Sequence, residues 1–184
     1  CKIPNVICYE DLIEKESSDF EWPEFDENTA SGLCYTSGTT GNPKGVLYSH
    51  RSTVLHALIQ CFYNAGSFSP KKKILPIVPL FHANAWGIPY SAPISGTSLV
   101  FPGANLDGKS VYDLLETYSV NSAWGVPTVW MGLLEEIVQR GGKKPDGLEE
   151  MLVGGSAAAK SLIEAFENMG VRVIHAWGMT ETSP

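Results

Sequence analysis

Eleven consecutive residues, Tyr35-Thr36-Ser37-Gly38-Thr39-Thr40-Gly41-Asn42-Pro43-Lys44-Gly45, gather the groups that bind phosphate. Glycines let a backbone turn tightly and approach a ligand closely. Their N–H groups, with the hydroxyls of Thr36, Ser37, Thr39 and Thr40 and the ammonium of Lys44, suit a ring of phosphate oxygens. The order differs from the Gly-x-x-x-x-Gly-Lys-Ser/Thr nucleotide loop. Pro43 takes the glycine slot before Lys44, and Gly45 stands where a magnesium-binding hydroxyl would be.

Three other segments crowd reactive or stacking side chains. Pro79 to Gly87 carries His82, Asn84 and Trp86 between a strand and a helix; the competing reading is a helix start with a buried aromatic. Gly154-Gly155-Ser156 follows a strand, and His175 to Ser183 holds Trp177, Thr180 and Glu181. Ligands bind at the carboxyl ends of strands in open α/β sheets, where all three segments are expected. His50 and His56 are six apart and share no metal-binding helix face. His56 reads as a packed histidine.

The elements that must position these segments alternate. Strands are expected near 33–36, 46–48, 74–78, 98–101, 122–124, 150–153 and 171–176, and those other than 46–48 are expected to lie mostly parallel. Helices are expected over 107–118, from Pro127 to about Arg140, and over 160–169, the last closed by Gly170. Ser49 is a helix N-cap for a segment running to about Asn64, with Val54, Leu55, Leu58 and Ile59 as its apolar face. The alternation predicts an α/β fold, a mostly parallel sheet flanked by helices. Residues 1–30 read as an acidic leading segment, with a short strand over 3–9 and a short helix over 10–15.

A net charge of −7 with no basic stripe argues against nucleic acid as partner. The apolar runs are too short to span a bilayer, and no signal peptide opens the chain. Cys1, Cys8, Cys34 and Cys61 lack Cys-x-x-Cys spacing and read as reduced thiols of a cytoplasmic protein. The chain starts with Cys1 and stops directly after a motif, so it is expected to be part of a longer protein.

The loop Thr-Ser-Gly-Thr-Thr-Gly-x-Pro-Lys-Gly resembles the phosphate-binding signature of the adenylate-forming (AMP-binding) superfamily. Val78 to Trp86 resembles the acyl-pocket segment of its fatty acyl-CoA synthetases, Val153 to Ser156 the adenine-approach turn, and His175 to Ser183 the Tyr-Gly-Met/Leu-Thr-Glu signature. Val46 to Arg51 is most similar to bacterial long- and medium-chain fatty acid CoA ligases. The resemblance implies that residues 31–184 are a partial AMP-binding domain, part of the large N-terminal domain, without the mobile C-terminal domain and its catalytic lysine. No complete catalytic centre is therefore assigned.

What the resemblance implies residue by residue is as follows. Thr36 and Glu181 would hold Mg²⁺, and Thr36, Ser37, Gly38, Thr39, Thr40, Gly41 and Lys44 would wrap the β- and γ-phosphates of ATP. Gly155, Ser156, His175, Ala176 and Trp177 would line the adenine site, and Thr180 would reach the α-phosphate. Trp177 departs from the family's usual tyrosine but keeps a stacking face. His82, Ala83, Trp86 and Gly178 would border the acyl pocket, with Trp86 at the position that gates fatty acid entry in long-chain ligases. The partners implied are ATP, a fatty acid and coenzyme A; a homodimer is allowed but not specified.

Two alternatives stay open. One is an adenylating ligase for an aryl or branched acid; an amino acid is disfavoured, because Phe81, His82, Asn84 and Trp86 supply no carboxylate for an ammonium. The other is a non-catalytic nucleotide-binding module, which the intact Thr36, Lys44 and Glu181 disfavour.

Overall fold

The computed structural model describes residues 4, 6–36, 41–64 and 66–183. Ser37 to Thr40, four of the expected phosphate-loop residues, lie outside them. Strands β3 (Lys73–Pro76), β4 (Ser98–Leu99), β5 (Ser122–Gly125), β6 (Glu150–Val153) and β7 (Arg172–His175) form a central five-stranded parallel sheet in the order β4-β3-β5-β6-β7. The register pairs Pro76 with Trp124, Gly125 with Val153, and Val153 with His175, so these strands end together at one edge.

Side chains alternate across a strand, which gives the sheet two buried faces. On one, Leu75, Ile77, Ala123, Met151 and Val153 pack with Val111, Leu115, Trp130, Leu133, Ile137, Leu162 and Phe166. These come from α5 (Gly108–Thr117), α6 (Pro127–Gln139) and α7 (Lys160–Asn168). The local signals place those helices well: Asp107 caps α5 by accepting from Ser110 N (3.0 Å), Pro127 opens α6, and Gly170 follows α7 at φ 77°. The other face, smaller and more aromatic, brings Ile74, Trp124 and Leu152 against Phe68 and against Ile88 of α4 (Ile88–Ser95), with Trp86 and Ala176 at its margin. The ligand cavity opens on this second face.

The strand expected near 33–36 is not part of the parallel sheet. β1 (Ala30–Tyr35) pairs antiparallel with β2 (Gly45–Ser49) in a separate two-stranded hairpin whose connection is the Gly/Thr loop. A strand's own sequence specifies its pleat but not its partner, and here the loop joins two adjacent antiparallel strands. Residues 6–8, within the strand expected over 3–9, form no strand, and the short helix α1 begins at Tyr9 (Tyr9–Ile13). Helix α2 (His50–Tyr63) starts as expected at Ser49, whose side chain accepts from Ser52 N while the Ser52 hydroxyl accepts from Ser49 N, both 3.1 Å. Its packing face is not the expected one. Val54, Leu55, Leu58 and Ile59 are exposed, and Ala57 and Gln60 are buried instead.

Candidate nucleotide and acyl site

Four loops converge at the carboxyl edge of the sheet around a cavity of about 630 Å³. Residues Thr36 and Lys44 come from the two ends of the Gly/Thr loop, held together at the hairpin base. Thr36 N donates to Lys44 O (2.9 Å), and Lys44 N donates to Thr36 Oγ1 (3.4 Å). His82, Ala83 and Trp86 enter from the loop after β3, Gly155 from the loop after β6, and Ala176, Trp177, Gly178, Thr180 and Glu181 from the loop after β7. Of the expected site residues that the structure describes, Gly41, Ser156 and His175 do not line the cavity.

The segment after β3 has unusual backbone geometry. Short helix α3 (Ala83–Trp86) has φ of 47°, 52°, 49° and 54° at its four residues, and Gly87 follows at 79°. This is a left-handed turn built from non-glycine residues. Each such residue costs about 1–2 kcal/mol against the right-handed form. The surroundings hold it in place. Gln60 donates to Trp86 O (2.8 Å), Ser91 Oγ donates to Gln60 Oε1 (2.5 Å), and the Cys34 thiol reaches Asn84 Oδ1 (3.4 Å). Gly87 favours glycine on two counts: its positive φ, and the His56 ring, which would have to move because it lies 2.5 Å from an added Cβ.

The same turn delivers the Trp86 indole onto the Gly154–Gly155 turn. A Cβ on Gly154 would lie 3.0 Å from Trp86 Cη2 and 3.3 Å from Ala176 O. On Gly155, at φ 79°, it would meet Val126 Cγ1 at 3.2 Å and Trp86 Cζ2 at 3.9 Å. At Gly154 an added Cβ would be tight against the indole, while at Gly155 the strain comes from the positive φ and Val126. The indole of Trp177 is 79% exposed in the cavity, a free stacking face.

The cavity also contains residues that sequence reasoning did not assign. His56 and Gln60 on α2 and its C-cap residue Asn64 recur at four-residue spacing and line one wall, together with Trp124 and Leu152. The spacing was a readable signal, but the apolar residues between them pointed the helix the wrong way round. His56 is half-buried, and that burial holds its imidazole pKa below the usual histidine range. Buried Tyr48 is an unassigned neighbour of Glu181, with its phenol pKa pushed up to about 12 by desolvation first and by Cys34 and Glu181 second.

The donor set fits a magnesium nucleotide. Thr36 and Glu181 offer hydroxyl and carboxylate oxygens in one cavity, and Lys44 adds a cation beside them. Mg²⁺ prefers oxygen and is commonly held by one or two protein groups together with phosphates and water. Among the described residues no group of three or more His, Cys, Asp or Glu could hold a metal by itself.

The fold and the site define an α/β domain with a ligand cavity at the carboxyl edge of its parallel sheet. The chain belongs to the AMP-binding enzyme family, whose model matches residues 3–184. It is 54% identical over 185 residues to the medium-chain-fatty-acid–CoA ligase of Ectopseudomonas oleovorans, covering 100% of this chain and 34% of that protein. With the 3-methylmercaptopropionyl-CoA ligase of Ruegeria lacuscaerulensis it shares 51% identity over 184 residues, again 100% of this chain and 34% of the relative. The o-succinylbenzoate coenzyme A synthetase of Bacillus subtilis, solved in complex with ATP and magnesium ion, superposes with TM-score 0.79 at 27% identity. That match covers 95% of this chain and 36% of the solved one. The chain thus spans about a third of the length of the curated relatives it matches.

Proposed function

We propose that this chain is the nucleotide- and acyl-binding part of an ATP-dependent, AMP-forming fatty acid–CoA ligase. The observation that carries the reading is the meeting of Thr36, Lys44, Thr180 and Glu181 with His82 and Trp86 in one cavity. Phosphate-type and acyl-type groups are thereby close enough to serve one reaction. In that reaction a carboxylate oxygen bonds to the α-phosphorus of ATP as the bond to pyrophosphate breaks. A thiol of coenzyme A then bonds to the acyl carbon, and AMP leaves.

In this reading the Gly/Thr loop (Thr36 to Gly41) and Lys44 wrap the β- and γ-phosphates, with Lys44 offsetting their charge, and Thr180 reaches the α-phosphate. Positioned charge of this kind lowers the barrier to attack by one anion on another. Thr36 and Glu181 would hold Mg²⁺, which when bound offsets phosphate charge. Gly155, Ala176 and Trp177 form the adenine side, with Ser156 and His175 outside the cavity lining, and His82, Ala83, Trp86 and Gly178 form the acyl side. Residues 1–30 are taken as a leading segment, supported by the exposure of every residue from 6 to 30, which joins the domain where Glu27 and Thr29 accept from Arg51 N and His50 N and Ala30 opens β1. A cytoplasmic location is supported by the free thiols of Cys8, Cys34 and Cys61. No described helix is long and apolar enough to cross a membrane.

The test is acid-dependent ATP–pyrophosphate exchange by the full-length protein carrying this chain, followed by CoA-dependent thioester formation. Fatty acids of graded length and 3-methylmercaptopropionate are supplied in parallel. Exchange with a fatty acid supports the reading. Exchange with aryl or branched acids alone would replace the substrate class, and nucleotide binding without exchange would leave a non-catalytic module.

A further inference from the structure

The turn carrying Thr180 and Glu181 is closed mainly on itself. Met179 N donates to Thr182 Oγ1 (3.1 Å), Thr182 Oγ1 donates to Met179 O (2.8 Å), and Thr182 N donates to Met179 O (3.0 Å). Upstream, Ala176 N is anchored to Val153 O (2.8 Å). Among the described residues, one hydrogen bond ties residues 177–183 to the rest of the chain: the Tyr48 hydroxyl donates to Thr180 O over 2.6 Å. This contact spans 132 positions of sequence.

Tyr48 is itself well fixed. It lies on β2, 5% exposed, directly behind the strand end that leads out of the Gly/Thr loop. Its own carbonyl accepts from Ser31 Oγ (3.2 Å), and Ser31 in turn shares a hydrogen bond with Thr53 on α2 (2.9 Å). The ring is therefore held at its backbone end by the hairpin and α2, and at its hydroxyl end by the turn. With its pKa pushed up to about 12, the phenol keeps its proton and remains a donor across the neutral range.

We propose that Tyr48 is a positioning residue that sets the Thr180–Glu181 turn against the phosphate-loop hairpin. It brings the oxygens of Thr36 and Glu181, from opposite ends of the chain, to one magnesium nucleotide. The inference rests on the function proposed above, since it takes the ligand shared by Thr36 and Glu181 to be MgATP. Tyr48 touches no reacting atom; it acts through Thr180.

The test compares full-length wild type, Tyr48→Phe and Tyr48→Leu. Measurements are exchange kinetics against MgATP and against acid, calorimetric MgATP binding, and thermal melting. Tyr48→Phe removes one oxygen and keeps the ring. The expected result is a KM and a Kd for MgATP raised about two- to twelvefold, the range for one lost hydrogen bond, with the KM for acid unchanged. Tyr48→Leu should show the same selectivity with a lower melting temperature, because it also loses the ring's packing. A smaller folded fraction lowers apparent kcat but leaves KM in place, so partial unfolding cannot mimic the result. Wild-type KM and Kd for MgATP in Tyr48→Phe would overturn the proposal, as would equal rises for nucleotide and acid. Wild type that binds MgATP but exchanges with no acid refutes the ligase reading alone, and the calorimetric comparison then decides Tyr48. Wild type that binds no MgATP overturns both.

Discussion

The side-chain amide of Gln60 donates to the main-chain carbonyl of Trp86 over 2.8 Å, and so ties helix α2 to the left-handed turn of Ala83 to Trp86. Gln60 is 8% exposed, and its other end accepts from Ser91 Oγ. A turn of non-glycine residues at positive φ persists only where its surroundings over-determine it. Gln60 supplies that constraint from inside the cavity wall.

Replacing Gln60 with leucine should therefore leave the Trp86 carbonyl without its donor. The expected loss is about 1–3 kcal/mol of unfolding free energy, measured by urea denaturation of the full-length protein. Trp86 should also become mobile, seen as a changed tryptophan emission spectrum. Wild-type stability and emission would show that the turn holds itself.

Lys44→Ala probes the phosphate loop. The side chain is exposed, and the hairpin contacts at this position are made by its backbone. Folding should survive, with a melting temperature close to wild type. A charge-assisted contact contributes about 1.5–3 kcal/mol, so pyrophosphate exchange should fall about ten- to a hundredfold. Undiminished exchange removes Lys44 from the nucleotide site.

Trp86→Ala addresses acid choice. The indole lies on Gly154 and Gly155 and borders the cavity. If it shapes the acyl tunnel, the chain-length profile should broaden and shift, because a hydrophobic pocket discriminates by only about 1–3 kcal/mol per methylene. A core tryptophan gives another pattern: a lowered melting temperature with all acids losing activity in proportion. Comparing the profile across a fatty acid series separates the two.

Gly154→Ala is the complementary change. Its Cβ would meet Trp86 Cη2 at 3.0 Å and Ala176 O at 3.3 Å. The indole is the partner able to move, so the acid profile should change in Gly154→Ala even though Trp86 is present. A variant with the wild-type profile and stability would mean that the ring does not pack on this turn in solution.

His56 sets a pH signature. Burial holds its pKa below that of the unfolded chain, so between those two values the unfolded state binds the extra proton. Stability attributable to His56 is thus intact at pH 7 and is lost as pH falls from about 6.5, the usual histidine value, toward the lower folded value. His56→Gln should flatten the fall in melting temperature between about pH 7 and 5 relative to wild type. Parallel curves for the two proteins would show that His56 titrates like an exposed histidine.

The sequence by itself determined most element types and the order of the four loops that meet at the cavity, because these depend on local signals. Alternating apolar strands, the Ser49 cap, Pro127 and Gly170 each act within a few residues of themselves. Tertiary structure decided what depends on contacts between distant residues. The strand before the Gly/Thr loop pairs in its own hairpin rather than joining the sheet, since pleat does not name a partner. Helix α2 presents His56, Gln60 and Asn64 to the cavity and leaves Val54, Leu55, Leu58 and Ile59 exposed, since an apolar stripe records hydrophobicity and not what lies opposite. Ala83 to Trp86 wind left-handed without a glycine among them, because Gln60, Ser91 and Cys34 hold a conformation that their own propensities oppose. Tyr48 meets Thr180 only because the chain folds back across 132 positions, a relationship that neither residue's neighbours encode.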